Sequence, residues 1–407
     1  MIFAADYVFP VSGEPIRNGF VECDDEGTIV AVGTLNNVDI AEDARFQDQE
    51  IVYRKGVIVP GFVNAHCHVE LSHMKGLFRQ ASGMDGFIRQ INALRLTVDR
   101  EGRVEAMRRE FDAMYESGVS AMADISNCDE SFEMKREAIE EGRMYTRTYL
   151  EVFGTEPEDA PAIMSSVLAL QSEAREMGLD AAPTPHSCYT MSPLLNRRSA
   201  AEGLKSGFIS YHSQESDEEE DMIRFGTGPL ADDYHGRGVS TPPVTGSGAL
   251  KYFLDNLTTE IPAPVYGRVL LVHNVATDKE SIEYALKTLK SPYWALCPLS
   301  NIFIHRALPP IGLMRSYGLK LCIGTDSLSS NLLLSMVDEM RCLQDNFPEL
   351  GLAELLEWAC INGAEAIGCE DACGTLEKGK RPGVVLIENI DLQNLRLTRD
   401  SRSTRLI

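Results

Sequence analysis

The chain has 407 residues, 44% hydrophobic and 24% charged, enough to bury one large core with a smaller one beside it, or two of medium size. Its formal net charge of −23 argues against nucleic-acid backbones and anionic membranes as partners, because both select clustered Lys and Arg, and it leaves an anionic small substrate open. No apolar run is long enough to span a bilayer, and the opening MIFAADYVFP lacks the basic start and small-residue cleavage site of a signal peptide, so a cytoplasmic location is expected. The 10 cysteines are scattered without a CxxC pair, which reads as buried reduced thiols; only Cys369 and Cys373 lie close together.

Taken in order, the chain starts with three short β-rich runs, IFAADYVF, GFVECD and TIVAVG, separated by turns at Gly13, Asn18, Gly19 and Gly27. The same texture returns in GTLEKGKRPGVVLIENID. Residues 1–56 and 369–407 are therefore expected to form one small β-sandwich domain assembled from both ends, around a central domain of residues 57–368.

The centre alternates strand and helix. The strand candidates are VIVPGFVNAH, SAMADIS, TRTYLEVF, AAPTPHS, GFISYHS, RVLLVHN, YWALCPLS and KLCIGTDS. Helices are expected over Glu101–Ser117, where Val104, Met107, Phe111 and Met114 share a face and Gly118 ends the pattern, and over Ala160–Met177, Thr277–Leu289, Leu332–Gln344 and Leu352–Ile367. Eight such units point to an α/β fold of the (β/α)8 TIM-barrel type, whose sites sit at the C-terminal strand ends. Two stretches exceed a minimal barrel. Glu70–Arg95 reads as a lid, and Gly226–Gly246, rich in Gly and Pro, reads equally as lid or inert loop.

The chemistry-bearing residues cluster at those strand ends. His66 and His68 are spaced by two, so both side chains can face one side of a strand. With His212 and Asp326 they supply three imidazoles and a carboxylate, a set that suits one divalent metal with a position left for water: zinc first, iron or manganese as alternatives. His273 ends the run LLVHN. Glu215 follows His212 by three residues and opens the acidic run Glu215–Asp221. Glu218, Glu219 and Glu220 read as a solvated helix N-terminus. Glu151 in TYLEVF either points into the site or pairs structurally. His73 and His235 either touch substrate or are exposed, and His305 reads as bland. Ser300, Asn301, Ser327 and Asn331 read as loop-fixing groups, and Asn64 as a brace for the HxH turn.

PGFVNAHCHVE, HSQES, VHN, CPLSN and GTDSLSSN together resemble the motif set of the amidohydrolase superfamily, in its deaminase and chlorohydrolase branch, over nearly the whole chain. Within that branch the combination is most similar to aminodeoxyfutalosine deaminases, which act on a modified adenine nucleoside. The resemblance implies His66, His68, His212 and Asp326 as metal ligands and Glu215 as proton shuttle. It implies His273 as partner of the hydrolytic water and of developing charge, and His186 as a substrate contact. Asp326 can also act as a base. Binuclear relatives carry a lysine at the end of the fourth strand, where this chain has AAPTPHS; one metal is therefore expected. The activity implied is hydrolytic deamination of an aminated heterocycle on a small-molecule substrate, in an enzyme that is often a homodimer. The alternatives are a chlorohydrolase or amide hydrolase, and a non-catalytic barrel scaffold. Chloride needs no proton to leave, so Glu215 favours deamination.

Overall fold

A computed structural model describes residues 1–36 and 50–407; residues 37–49 of the expected N-terminal β segment lie outside the described residues. The chain ends pair as one six-stranded sheet. Its strands are β1 (Ile2–Val8), β2 (Ile16–Cys23), β3 (Ile29–Thr34) and β4 (Ile51–Pro60) from the start of the chain. The centre supplies β5 (Phe62–Cys67), β6 (Val119–Ser126), β7 (Tyr145–Val152), β8 (Asp180–Pro185), β9 (Phe208–Ser213), β10 (Val265–His273), β11 (Leu289–Leu296) and β12 (Leu321–Ile323). Then β13 (Val384–Glu388) and β14 (Arg402–Arg405) return to the first sheet, in the order β14-β13-β4-β1-β2-β3. The expected two-layer sandwich is thus, in the described pairing, a single sheet. Val57–Pro60 belong to that sheet through pairs with β1 and β13, and not to the centre. The break falls at Gly61, where a Cβ would sit 1.9 Å from Ser120 Oγ and 2.3 Å from the Pro382 carbonyl oxygen.

The central strands form two parallel four-stranded sheets, β5-β6-β7-β8 and β12-β11-β10-β9, with helices between. The strands are buried throughout their C-terminal halves, as parallel strands covered on both faces must be. Two seams join the sheets. Pro183 and Pro185 have no N–H, and on β8 their positions face β9, because the alternate His186 N–H turns the other way to the Val152 carbonyl (3.3 Å). The Thr184 hydroxyl fills in, accepting from Ser210 N (2.8 Å), and His212 N donates to the His186 carbonyl (2.9 Å).

At the other seam Cys67 bridges to Asp326 in parallel register, and Thr325 N and Asp326 N both donate to the His66 carbonyl at 3.0 Å. Gly324 permits this approach: a Cβ there would lie 2.8 Å from the His66 backbone nitrogen. Asn64 does more than brace its own turn. Its amide donates to Thr325 Oγ1 (2.8 Å) and accepts from Thr325 N (3.1 Å), tying β5 to the Asp326 turn.

Most expected helices appear within a few residues of their predicted ends, among them Arg100–Glu116 and Ala160–Glu176. Leu352–Ile367 is two helices, Leu352–Ala359 and Ile361–Ile367, broken at Cys360 (φ −125, ψ −85). The two long stretches are ordered structure. Glu70–Arg95 holds a 3-10 turn, Val69–Met74, and the helix Gly83–Leu94. Gly226–Gly246 holds the helix Pro229–Arg237, which packs Leu230, Ala231 and Tyr234 against Met84, Tyr189 and Met222. Among the described residues no helix is long and apolar enough to cross a membrane.

Candidate active site

The C-terminal ends of β5, β9 and β10 and the turn after β12 bring His66, His68, His212, His273 and Asp326 together. His66, His68 and His212 each offer one ring nitrogen, all within 4.8 Å of one another. His68 Nε2 and His212 Nε2 are 3.3 Å apart. Asp326 Oδ1 lies 3.9 Å from Nε2 of both His66 and His68, while Ser300 and Ser330 hydroxyls donate to its other oxygen at 2.6 and 2.8 Å. Both ring nitrogens of His66 are buried without a hydrogen-bond partner. An orphaned, fully buried imidazole facing two others and a carboxylate oxygen fits a divalent cation, the partner that satisfies all four at once.

Electrostatics agree. Burial first, then the neighbouring imidazoles, hold His66 and His212 well below the ordinary histidine range; burial also lowers His68 against the pull of Asp326. Neutral imidazoles keep the lone pairs that ligate metal. A carboxylate supports His212 from behind, with Glu151 Oε1 3.3 Å from its Nδ1. That same Nδ1 is 3.3 Å from the His186 carbonyl. The His186 ring stacks on His212 with centroids 4.5 Å apart, and its Nδ1 lies 2.8 Å from both the Ser187 and Thr190 hydroxyls.

Glu215 reaches the group through His273, whose ring centroid lies 5.6 Å from that of His66 and 5.5 Å from that of His212. Glu215 precedes Ser216, which caps the helix Asp217–Phe225, so it lies just outside that helix. Its Oε1 is 3.6 Å from His273 Nε2 and 3.8 Å from His305 Nε2. Burial alone would raise its carboxyl; the His273 and His305 rings outweigh that and hold it down to about 2. His273 Nδ1 is fixed 2.9 Å from Asn301 Oδ1. His273 and Asp326 both sit in the left-handed region (φ 74 and 55), backbone strain of the kind that collects at working sites.

The cavity in front of this group, about 170 Å³, has an apolar wall from the helix Gly83–Leu94 (Met84, Phe87, Ile88, Ile91) and a polar rim that includes Asn92, Arg95 and Asn127. His68, Glu151, His186, His212, Glu215, His273 and Asp326 line it. His73 stands apart, its Nε2 3.1 Å from the Arg95 carbonyl, and His235 is exposed.

Several residues escape a sequence reading. Glu218–Glu220 do lie in the first turn of a helix, but they are not simply solvated. Glu219 is fully buried and its Oε2 accepts the Glu215 N–H (2.8 Å), Glu218 accepts from Met84 N and Asp85 N, and Glu220 accepts from Gln214 and Ala249 N. His305 is no bystander. Its place four residues after Asn301 on one helix was the available signal. Beneath the HxH turn lies a fully buried Lys135–Asp124 pair (2.5 Å), with Asp124 Oδ1 accepting the Val69 N–H (3.1 Å). Nothing in EMKREAIE distinguishes that lysine from a surface one.

The comparisons point the same way. The Amidohydrolase family model matches residues 57–403. A 5-methylthioadenosine/S-adenosylhomocysteine deaminase of Saccharophagus degradans is 26% identical over 97% of this chain and 84% of its own. The structure of Helicobacter pylori aminofutalosine deaminase in complex with methylthio-coformycin superposes with a TM-score of 0.76 at 22% identity, covering 95% of this chain and 91% of that one. An adenosine deaminase from Xanthomonas campestris with bound zinc gives 0.73 at 20% identity, covering 97% and 85%. The chain belongs to the amidohydrolase family and is a hydrolase of carbon–nitrogen bonds.

Proposed function

We propose that this hydrolase deaminates a purine nucleoside, releasing ammonia, and that aminodeoxyfutalosine is one candidate substrate. The observation that carries deamination is the ionised Glu215 held beside His273 and facing the orphaned histidine group. His66, His68, His212 and Asp326 would hold one divalent metal, zinc, whose Lewis acidity makes water a usable nucleophile near neutral pH.

The chain's own groups do the rest. Glu215 accepts one proton from the attacking water and delivers it to the purine ring nitrogen, where it stays in the 6-oxopurine product. His273, oriented by Asn301, hydrogen-bonds the oxygen as charge develops on it. Asp326, held through its other oxygen by Ser300 and Ser330, takes the second water proton, which then passes to the departing amine as ammonia leaves. The balance is amine plus water giving carbonyl plus ammonia. The His186 carbonyl, hydrogen-bonded to His212 Nδ1, sets the His212 tautomer with Glu151 beside it, and the His186 ring meets the substrate edge. The apolar wall from Met84 to Ile91 suits an uncharged ribose substituent.

The two parallel sheets read best as one closed (β/α)8 barrel, supported by the Cys67–Asp326 bridge and the Thr184–Ser210 bond. The end sheet, β1 to β4 with β13 and β14, is its discontinuous β domain.

The test is ammonia release by zinc-reconstituted protein from 5′-substituted adenosines, with guanine, cytosine and chlorotriazines alongside. Ammonia from an adenine nucleoside is expected. Chloride or carboxylate release without ammonia would sink the reading.

A further inference from the structure

The helix Pro298–His305 supplies three of the site's contacts: Ser300 to Asp326, Asn301 to His273, and His305 beside Glu215. Its own start lacks a side-chain cap, because the N-cap position is Cys297. A buried helix start leaves N–H groups that need acceptors. Here the acceptor comes from a different helix, Met336–Asn346. Glu339 on that helix is fully buried, and its Oε2 accepts the Leu299 N–H (2.9 Å).

The second oxygen of Glu339 serves the other side. Oε1 accepts from Asn331 Nδ2 (2.7 Å), and the same nitrogen donates to the Thr325 carbonyl (3.1 Å). Thr325 and Asn331 bracket the turn that carries Asp326, whose Ser330 hydroxyl bonds Asp326 from within. One carboxyl group therefore joins the helix that holds Asp326 from outside to the turn that bears it. Glu339 itself does not line the cavity.

We propose that Glu339 is a positioning residue for this site. By clamping Leu299 and Asn331 it sets Ser300, Asn301 and His305 against the Asp326 turn, and so fixes Asp326, His273 and Glu215 relative to one another. The inference rests on reading the site as metal-dependent. Glutamine cannot replace Glu339, since its single oxygen serves one donor and its NH2 faces the other.

The test is Zn²⁺ affinity, measured by competition with a chromogenic chelator, on full-length wild type, Glu339→Gln, Asn331→Ala and Leu386→Ala. Leu386 is a buried residue of β13 and serves as a control for general destabilisation. Glu339→Gln is expected to weaken Zn²⁺ binding about tenfold or more and to lower kcat with little change in KM. Asn331→Ala, which cuts one arm of the clamp, should give a smaller loss in the same direction. Leu386→Ala should lower the thermal midpoint and leave Zn²⁺ affinity at the wild-type value. Wild-type Zn²⁺ affinity and kcat in Glu339→Gln would overturn the inference, as would affinity that falls in step with thermal midpoint in all three variants. Should Glu339→Gln fail to fold, Asn331→Ala decides alone: unchanged affinity and kcat overturn the clamp. A wild-type protein that takes up no Zn²⁺ would overturn the metal reading itself, and this inference with it.

Discussion

The two walls of the site differ in what satisfies their polar atoms. On the His66 side the ring nitrogens of His66 are buried with no partner, and burial with imidazole neighbours keeps His66 and His212 neutral. On the Glu215 side most partners come from the protein: Asn301 on His273, two imidazoles flanking Glu215, and Glu219 on the Glu215 backbone, with His305 Nε2 and Asn301 Nδ2 left without a hydrogen-bond partner. The first wall is built to receive something from outside. The second is built to hold one charge in one place. A buried polar group without a partner is costly, so a site tolerates it where a ligand completes it.

Substitutions that separate the walls sharpen this contrast. The largest effect is expected for His66→Ala: metal content by elemental analysis falls well below one ion per chain, and turnover drops on the order of a thousandfold or more. Next comes Glu215→Gln, which should keep its metal and lose roughly two to four orders of magnitude in kcat, because it removes a proton carrier and leaves the cradle alone. Equal metal loss in both variants would break the division between the walls. Asn301→Ala frees the His273 ring without touching the cradle, so metal content should hold and kcat should fall about tenfold, with KM nearly unchanged.

The smallest expected effect is a pH dependence of stability. Burial first, then repulsion from Glu220, pushes the Glu219 carboxyl up to about 8, although the Glu215 N–H pulls the other way. The folded protein then binds a proton that the unfolded chain has released. The stabilisation is full below about pH 4.5, the ordinary glutamate value, and is lost as pH rises through about 8. Glu219→Gln should flatten chemical-denaturation stability across that window by a few kcal/mol, on the order of one per pH unit. An unchanged slope would place the Glu219 titration elsewhere.

Much of the site is legible in the sequence because it sits at the ends of short apolar runs. Period-two spacing puts His66 and His68 on one side, and His212 and His273 lie at the C-terminal ends of β9 and β10. What the sequence hides is burial conferred by distant residues. DEEED reads as solvated, yet Glu219 is enclosed by Cys188 and the Glu215 backbone. His305 looks bland because Glu215 lies on another element. GTGPLADDYHGRG reads as loop for its Gly and Pro. In fact Pro229 occupies the first turn of a helix, where a missing N–H costs nothing, and Gly238 closes it in the left-handed region. The single sheet at the chain ends also defeats local reading, since β-rich texture says nothing of how many layers it builds.

The central claim is hydrolytic deamination by water activated in the His66, His68, His212 and Asp326 group. It is tested most directly by running the zinc-loaded enzyme on an adenine nucleoside in ¹⁸O-labelled water, following ammonia and product mass together. The account predicts one ammonia per turnover and one ¹⁸O in each 6-oxopurine product, with both lost in Glu215→Gln while its zinc remains. Product without label, or turnover without ammonia, would contradict it.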